Sequence, residues 1–317
     1  MDFFTHFLIG LLLSSFTLHR FGLGMVIYMG FMAVGPDFDV IFESIPFIRR
    51  NKILAHKGIS HSYLFAIVIS AITGGLFSLI TKMSFLPVWF IGFLFYSLHI
   101  TLDFLAASKT PIFYPISRKR YRFFIDRAIN FYMLLISVGI MVTYVILFFT
   151  SPMVNLLIFS YFVSGYYIVY FSYRMFMKIY FKVTLPSSHR FIPGISPFNY
   201  YIYSTDIQAE EKYFKLVKNT IFGIKSKILI ESTLNMNSIQ NKFYEKALAL
   251  AKNEYSFFSK WEYVIPIFNE SDDTINITIL LAESYFRNSG YGFQARFNRK
   301  TGENLDKSEG FNLHIKN

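Results

Sequence analysis

Long apolar runs separated by short polar breaks fill residues 1–181, and mixed or alternating patterns fill residues 182–317. A membrane-crossing helix needs about 20 predominantly apolar residues at a rise of about 1.5 Å each. Ser62–Ile80, Leu86–Ala107 and Ile129–Thr150 meet that length, and Met153–Ile179, rich in tyrosine, follows a break at Ser151-Pro152. Upstream, Phe3–Leu18 is apolar but shorter. His19-Arg20-Phe21-Gly22 interrupts it, and Leu23–Val34 resumes the pattern until Gly35-Pro36. Two readings of this stretch stand. One straight helix would hold His6 and Asp37 about 45 Å apart. A hairpin of two short helices would bring Asp37 back beside His6.

The downstream pattern changes period. Tyr200–Thr205, Tyr213–Phe222 and Ser226–Ser232 alternate or are β-branched and read as strands. Ser238–Asn253 repeats Ile239, Phe243, Ala247 and Leu250 at helical spacing. Trp261–Phe268, Thr274–Phe286 and Tyr291–Phe297 read as further strands, with a hairpin turn at Glu270–Asp273. The expected architecture is therefore an α-helical membrane bundle over residues 1–181, an N-terminal helical hairpin plus four membrane helices, followed by a small α+β domain over residues 182–317. His189 and His314 stand alone in that domain and read as surface residues.

Charge adds an orientation. The chain carries a net charge of +11 with 53% hydrophobic residues. Residues 1–181 hold 14 of the 31 basic residues but 6 of the 20 acidic ones. The basic residues cluster in two loops: Arg49, Arg50, Lys52 and Lys57 in one, Lys109, Arg118, Lys119, Arg120, Arg122 and Arg127 in the other. The turns at Lys82 and Ser151 carry almost no charge. The positive-inside rule then places both basic loops and the C-terminal domain in the cytoplasm of a multi-pass integral membrane protein. Basic residues confined between apolar spans do not describe a nucleic-acid surface, so no nucleic-acid partner is expected. The absence of cysteine excludes disulfides, thiolate metal sites and a cysteine nucleophile. The opening Met-Asp-Phe-Phe lacks the basic region of a cleaved signal peptide.

Within this frame the ionisable residues are few and placed alike. His99 and Asp103 stand four apart, on one face near the end of an apolar helix that runs into a basic loop. His56 and His61 precede the next-earlier membrane helix, and Asp37 and Asp39 open the same loop. All six fall at one membrane face, and His6 joins them if the hairpin forms. Singly each has a structural reading, such as a turn for Pro-Asp-x-Asp. Together they form an imidazole and carboxylate set that zinc, manganese and iron favour. A bound divalent ion, zinc or manganese first, also neutralises carboxylates that are costly beside lipid. Such a site suits metal-assisted attack on an ester or phosphoester, with Asp39 and His61 as catalytic candidates. The cations of the 109–127 loop could receive an anionic head group.

Met1-Asp2-x2-Thr5-His6, Pro36-Asp37-x-Asp39, His56-Lys-Gly-Ile-Ser60-His61-Ser62 and His99-x3-Asp103 occur in this order. Over roughly residues 1–150 the chain resembles the bacterial and archaeal membrane-bound metal-dependent hydrolases of the YdjM type, also known as LexA-binding inner-membrane proteins. Lys57 and Ser60 depart conservatively from the usual His-Arg-Gly-x-Thr-His-Ser. The resemblance implies a helical membrane protein with a metal site at His6, Asp37, Asp39, His56, His61, His99 and Asp103, and Asp126 as a further acidic position. It implies membrane lipids as surroundings and a lipid-like substrate. A lipid phosphatase with a histidine nucleophile would need Ser-Arg where Gly92-Phe93 stand. A transporter or scaffold, with the histidines as a proton relay or structural metal site, is the non-enzymatic alternative.

Overall fold

The computed structural model describes residues 2–311 apart from 46, 48–50, 52, 107, 128–129, 222, 224–225, 256–257 and 259. Met1, Arg49, Arg50, Lys52, Ala107, Ala128, Ile129, Phe222 and His314 thus lie outside the described residues. The chain divides into two compact units, Met1–Met177 and Lys178–Asn317.

The first unit is helical. Helix α1 (Phe3–Ser15) starts because Asp2 accepts from the Thr5 amide at 2.9 Å and from its hydroxyl at 2.7 Å. The chain turns at Phe16 and Thr17, and α2 (Leu18–Val34) is interrupted at Gly22, whose φ of 74° only glycine adopts readily. The two helices return as a hairpin. A Cβ on Gly10 would lie 2.4 Å from that of Ala33, and Thr17 Oγ1 reaches Met29 Sδ at 3.6 Å. The straight-helix reading is therefore excluded. A 3-10 segment, Gly35–Ser44, follows from Pro36, and a short one, Ile59–His61, leads into α3 (Tyr63–Thr81). Ser62 caps α3 by accepting from the Phe65 amide. Helices α4 (Phe85–Leu105), α5 (Phe131–Thr150) and α6 (Met153–Thr184) complete the series. Between α4 and α5 the loop folds back on the end of α4, where Phe123 and Ile125 donate to the Phe104 and Leu105 carbonyls at 2.7 and 2.8 Å.

Among the described residues, five helices are long and apolar enough to cross a membrane, with α1 as a shorter apolar one. Their outer faces carry bare aliphatic and aromatic groups such as Leu79, Ile80 and Phe149. Lipid tails are as apolar as leucine, so helix association there relies on close packing and hydroxyl bridges. Both are present. Gly74 lets the Trp89 backbone approach closely, and Thr5, Ser137 and Tyr167 link α1, α5 and α6 at 2.9 and 2.7 Å.

The second unit holds two antiparallel four-stranded sheets in sequential order. Strands β1 (His189–Pro193), β2 (Asn199–Gln208), β3 (Glu211–Thr220) and β4 (Ser226–Asn235) form the first. Strands β5 (Val264–Glu270), β6 (Thr274–Leu281), β7 (Gly292–Asn298) and β8 (Asn304–Gly310) form the second. Helix α7 (Ile239–Glu254) connects them, capped by Ser238. Its buried stripe is Phe243, Tyr244, Ala247 and Ala251, while Ile239 is exposed, so the helix is rotated from the expected face. His189 lies in β1 and the strand read to Phe286 ends at Leu281; β1 and β8 carry no alternation strong enough to read in the sequence.

Candidate metal centre

Four segments of the first unit deliver the site. Asp37 and Asp39 sit in the first turns of the 3-10 segment that Pro36 starts. His56, Lys57, Ser60 and His61 come from the loop and short 3-10 turn before α3. His99 and Asp103 lie one turn apart on α4, and His6 lies on α1. The loop has an obligatory glycine: a Cβ on Gly58 would lie 1.9 Å from the Ile53 carbonyl oxygen. Lys57 before it takes a positive φ of 60°. Its amide donates to Asp39 at 3.2 Å and its carbonyl accepts from Arg120 at 3.1 Å, which holds that conformation.

One donor atom from each of Asp37, His61, His99 and Asp103 lies within 4.8 Å of all the others. The tautomer of His99 follows from its partner. A carbonyl oxygen can only accept, so Nδ1 donates to Ala33 at 2.8 Å and a neutral ring presents the Nε2 lone pair. That nitrogen faces His61 Nε2 at 3.3 Å and Asp37 Oδ1 at 3.4 Å. His61 turns Nε2 to Asp103 Oδ2 at 3.1 Å and to Asp37 Oδ1 at 3.5 Å, and Nδ1 to Ser60 Oγ at 3.0 Å and Asp39 Oδ2 at 3.5 Å. Two carboxylates and two imidazole nitrogens thus converge where little water reaches. Lone pairs so arranged repel unless a positive charge joins them. Burial lowers the proton affinity of His61, but the carboxylates of Asp103, Asp37 and Asp39 more than reverse this and raise its pKa to about 10. A divalent ion satisfies the same demand and engages all four donors, so the residues fit one.

The other expected residues stand one layer back. His6 stacks on His99 with centroids 3.7 Å apart and brings Nε2 within 3.3 Å of Asp103 Oδ1. It braces the carboxylate and is not one of the four convergent groups. Asp39 is a hub: it accepts from Ser60, faces His61 Nδ1, and holds His56 Nδ1 at 2.6 Å. His56 is thereby anchored behind Asp39, and burial lowers its pKa. Tyr96 ties the loop down by donating to the Ser60 carbonyl at 2.9 Å.

Lys57 is the site residue that the sequence reading left among topology charges. Its ammonium lies 2.9 Å from Asp103 Oδ2 and its side chain is 7% exposed. The signal was its place between the two histidines. Asp126 belongs to a separate buried cluster. Its carboxylate accepts from Asn130 Nδ2 and Tyr170 OH at 2.9 Å each, and Arg174 lies 3.5 Å away. An arginine inside the apolar run Met153–Ile179 was the readable signal there.

The family model described as YdjM inner membrane protein matches residues 1–177. No curated protein and no solved structure matches the chain.

Proposed function

The chain belongs to the YdjM inner membrane protein family, and from that premise we propose that it is a membrane-embedded, metal-dependent hydrolase acting at the cytoplasmic face on a lipid-like ester or phosphoester. The observation that carries this reading is the convergence of donors from Asp37, His61, His99 and Asp103, the last three buried and each backed by a further partner. The nitrogen and oxygen donor set suits zinc or manganese. Such an ion supplies Lewis acidity at the reacting oxygen.

The protein's own residues supply the rest. His61 would offer Nε2 to such an ion, with Ser60 and Asp39 holding its other nitrogen. His56, fixed at Nδ1 by Asp39, holds or moves a proton at Nε2. Exposure rises along one side of the group, from 0% at His61, His99 and Asp103 to 10% at Asp37, 12% at Asp39 and 22% at His56. Substrate would approach on the side of Asp37, the most exposed of the four convergent residues.

Transport is less well supported. The Thr5–Ser137–Tyr167 hydroxyls and the Ser15–Ser160 pair lie at opposite ends of α1. Between them on that helix stand the fully buried Leu8 and Leu12.

The test is elemental analysis of the purified protein beside His61→Ala and Asp103→Asn. Both variants are expected to fold, to lose bound metal and to lose hydrolysis of phospholipid substrates. Undiminished metal in folded variants would sink the proposal.

A further inference from the structure

Lys57 presents an ammonium in the wall of the metal site. It pairs with Asp103 Oδ2 at 2.9 Å, and among the described residues no second acceptor is within reach of the buried Nζ. A buried ammonium carries three donor protons that need acceptors. Its backbone is held on both sides, by Asp39 at the amide and Arg120 at the carbonyl, so its entry into the site is built into the loop.

Charge then sets the occupancy. Asp37, Asp39 and Asp103 bring three negative charges into one cluster. Among the described side chains, one divalent ion and the Lys57 ammonium would match these three charges, with neutral histidines. A second divalent ion would leave a surplus of two charges in a poorly solvated place. Resting on the metal reading above, we infer that the centre takes one divalent ion, that Lys57 fills the place of a second cation, and that its free donors bind an oxyanion of a phosphate-bearing substrate. With an ion held by the four donors, the ion and the Lys57 ammonium would be neighbouring cations whose field would select an anion over a neutral ester.

The experiment uses full-length protein in detergent, titrated with Mn2+ and then with inorganic phosphate or phosphatidic acid in mixed micelles. Wild type is expected to bind one ion per chain. Lys57→Met is expected to keep that ion and to lose about tenfold or more in phosphate affinity, the usual scale for a charge-assisted hydrogen bond. Lys119→Met, which removes an exposed cation from the α4–α5 loop, is expected to change neither. Where Lys57→Met does not fold, Lys57→Gln carries the same comparison. Two ions per wild-type chain, or phosphate affinity unchanged in a folded Lys57 variant, overturns the inference. No bound ion at all overturns the metal reading itself. Binding of both probes supports recognition of phosphate whatever carries it. Binding of phosphatidic acid alone supports a lipid head group, and binding of neither overturns the oxyanion role.

Discussion

His61 has two nitrogens with opposite duties. Nδ1 is held by Ser60 and Asp39, while Nε2 faces the carboxylates of Asp103 and Asp37. Its pKa is raised from 6.5 to about 10, so without metal a proton stays on the ring at neutral pH. A raised folded-state pKa stabilises the fold fully below the unfolded value and is lost as pH rises through about 10. An ion that takes Nε2 must displace that proton. Metal affinity is therefore expected to tighten about tenfold per pH unit below about 10, with release of one proton per ion. Metal titrations against a competing chelator at neutral and alkaline pH check the first; calorimetry in buffers of different ionisation enthalpy checks the second. A pH-independent affinity would contradict the role given to His61. His6 acts at one remove, through Asp103 Oδ1. His6→Ala is expected to weaken metal binding by about 10–100-fold without abolishing it, the scale found for groups behind a ligand.

Elements meet the site through their ends. The α1–α2 hairpin brings His6 to the ring face and the Ala33 carbonyl to the Nδ1 edge of the same histidine, His99. The apolar pattern alone left that hairpin undecided; Gly22, at φ 74°, was the residue that marked the break. The α4–α5 loop is fixed at its far end by Asp126, which accepts from Asn130 and Tyr170 and pairs with Arg174 of α6. Removing one partner leaves a buried charge uncompensated, so Arg174→Met and Asp126→Asn are each expected to cost about 3–5 kcal/mol. The double variant is expected to cost less than the two together. Thermal unfolding in detergent reads the cycle, and strict additivity would show that the two groups do not interact. In the second unit the helix α7 was readable, and so were Phe243 and Ala247 of its buried face, but not Tyr244 and Ala251. Phe243 packs on Phe297, and the contact of Tyr244 with Phe214 brings Tyr244 into the core while Ile239 stays exposed.

At the scale of the whole molecule, charge is distributed by side. The loop cations Arg118 and Lys119 are exposed, whereas the turn between α3 and α4 is nearly uncharged. The positive-inside rule then predicts that the α4–α5 loop and the C-terminal unit face the cytoplasm. The chain has no cysteine, so single substitutions report orientation without background. Lys119→Cys and Asp272→Cys are expected to resist a membrane-impermeant maleimide in intact cells and to react after lysis, while Ser84→Cys reacts in both. Labelling of Lys119→Cys from outside would invert the topology and move the proposed reaction to the other face. The second unit itself is held by its own packing. Alternate residues Ile275, Ile277 and Ile279 of β6 are fully buried, and the buried Glu283 accepts from the amides of Glu262 and Tyr263.

Hydrophobic length, loop charge and the spacing of His99 and Asp103 are local properties, and the sequence by itself determined them: apolar helices first, strands after, and ionisable residues at helix ends. Local signals also marked Asp37, His61, His99 and Asp103, the four residues that converge, but left Lys57 among the loop charges. Which of those residues share one point was decided only by the tertiary structure, because direction in space depends on how helices pack. It set Asp37, His61, His99 and Asp103 face to face and put Asp39, His56 and His6 behind them. It also turned Lys57 inward, since a lysine in a basic loop looks like solvated charge until Gly58, Asp39 and Arg120 bend the backbone and aim it at Asp103.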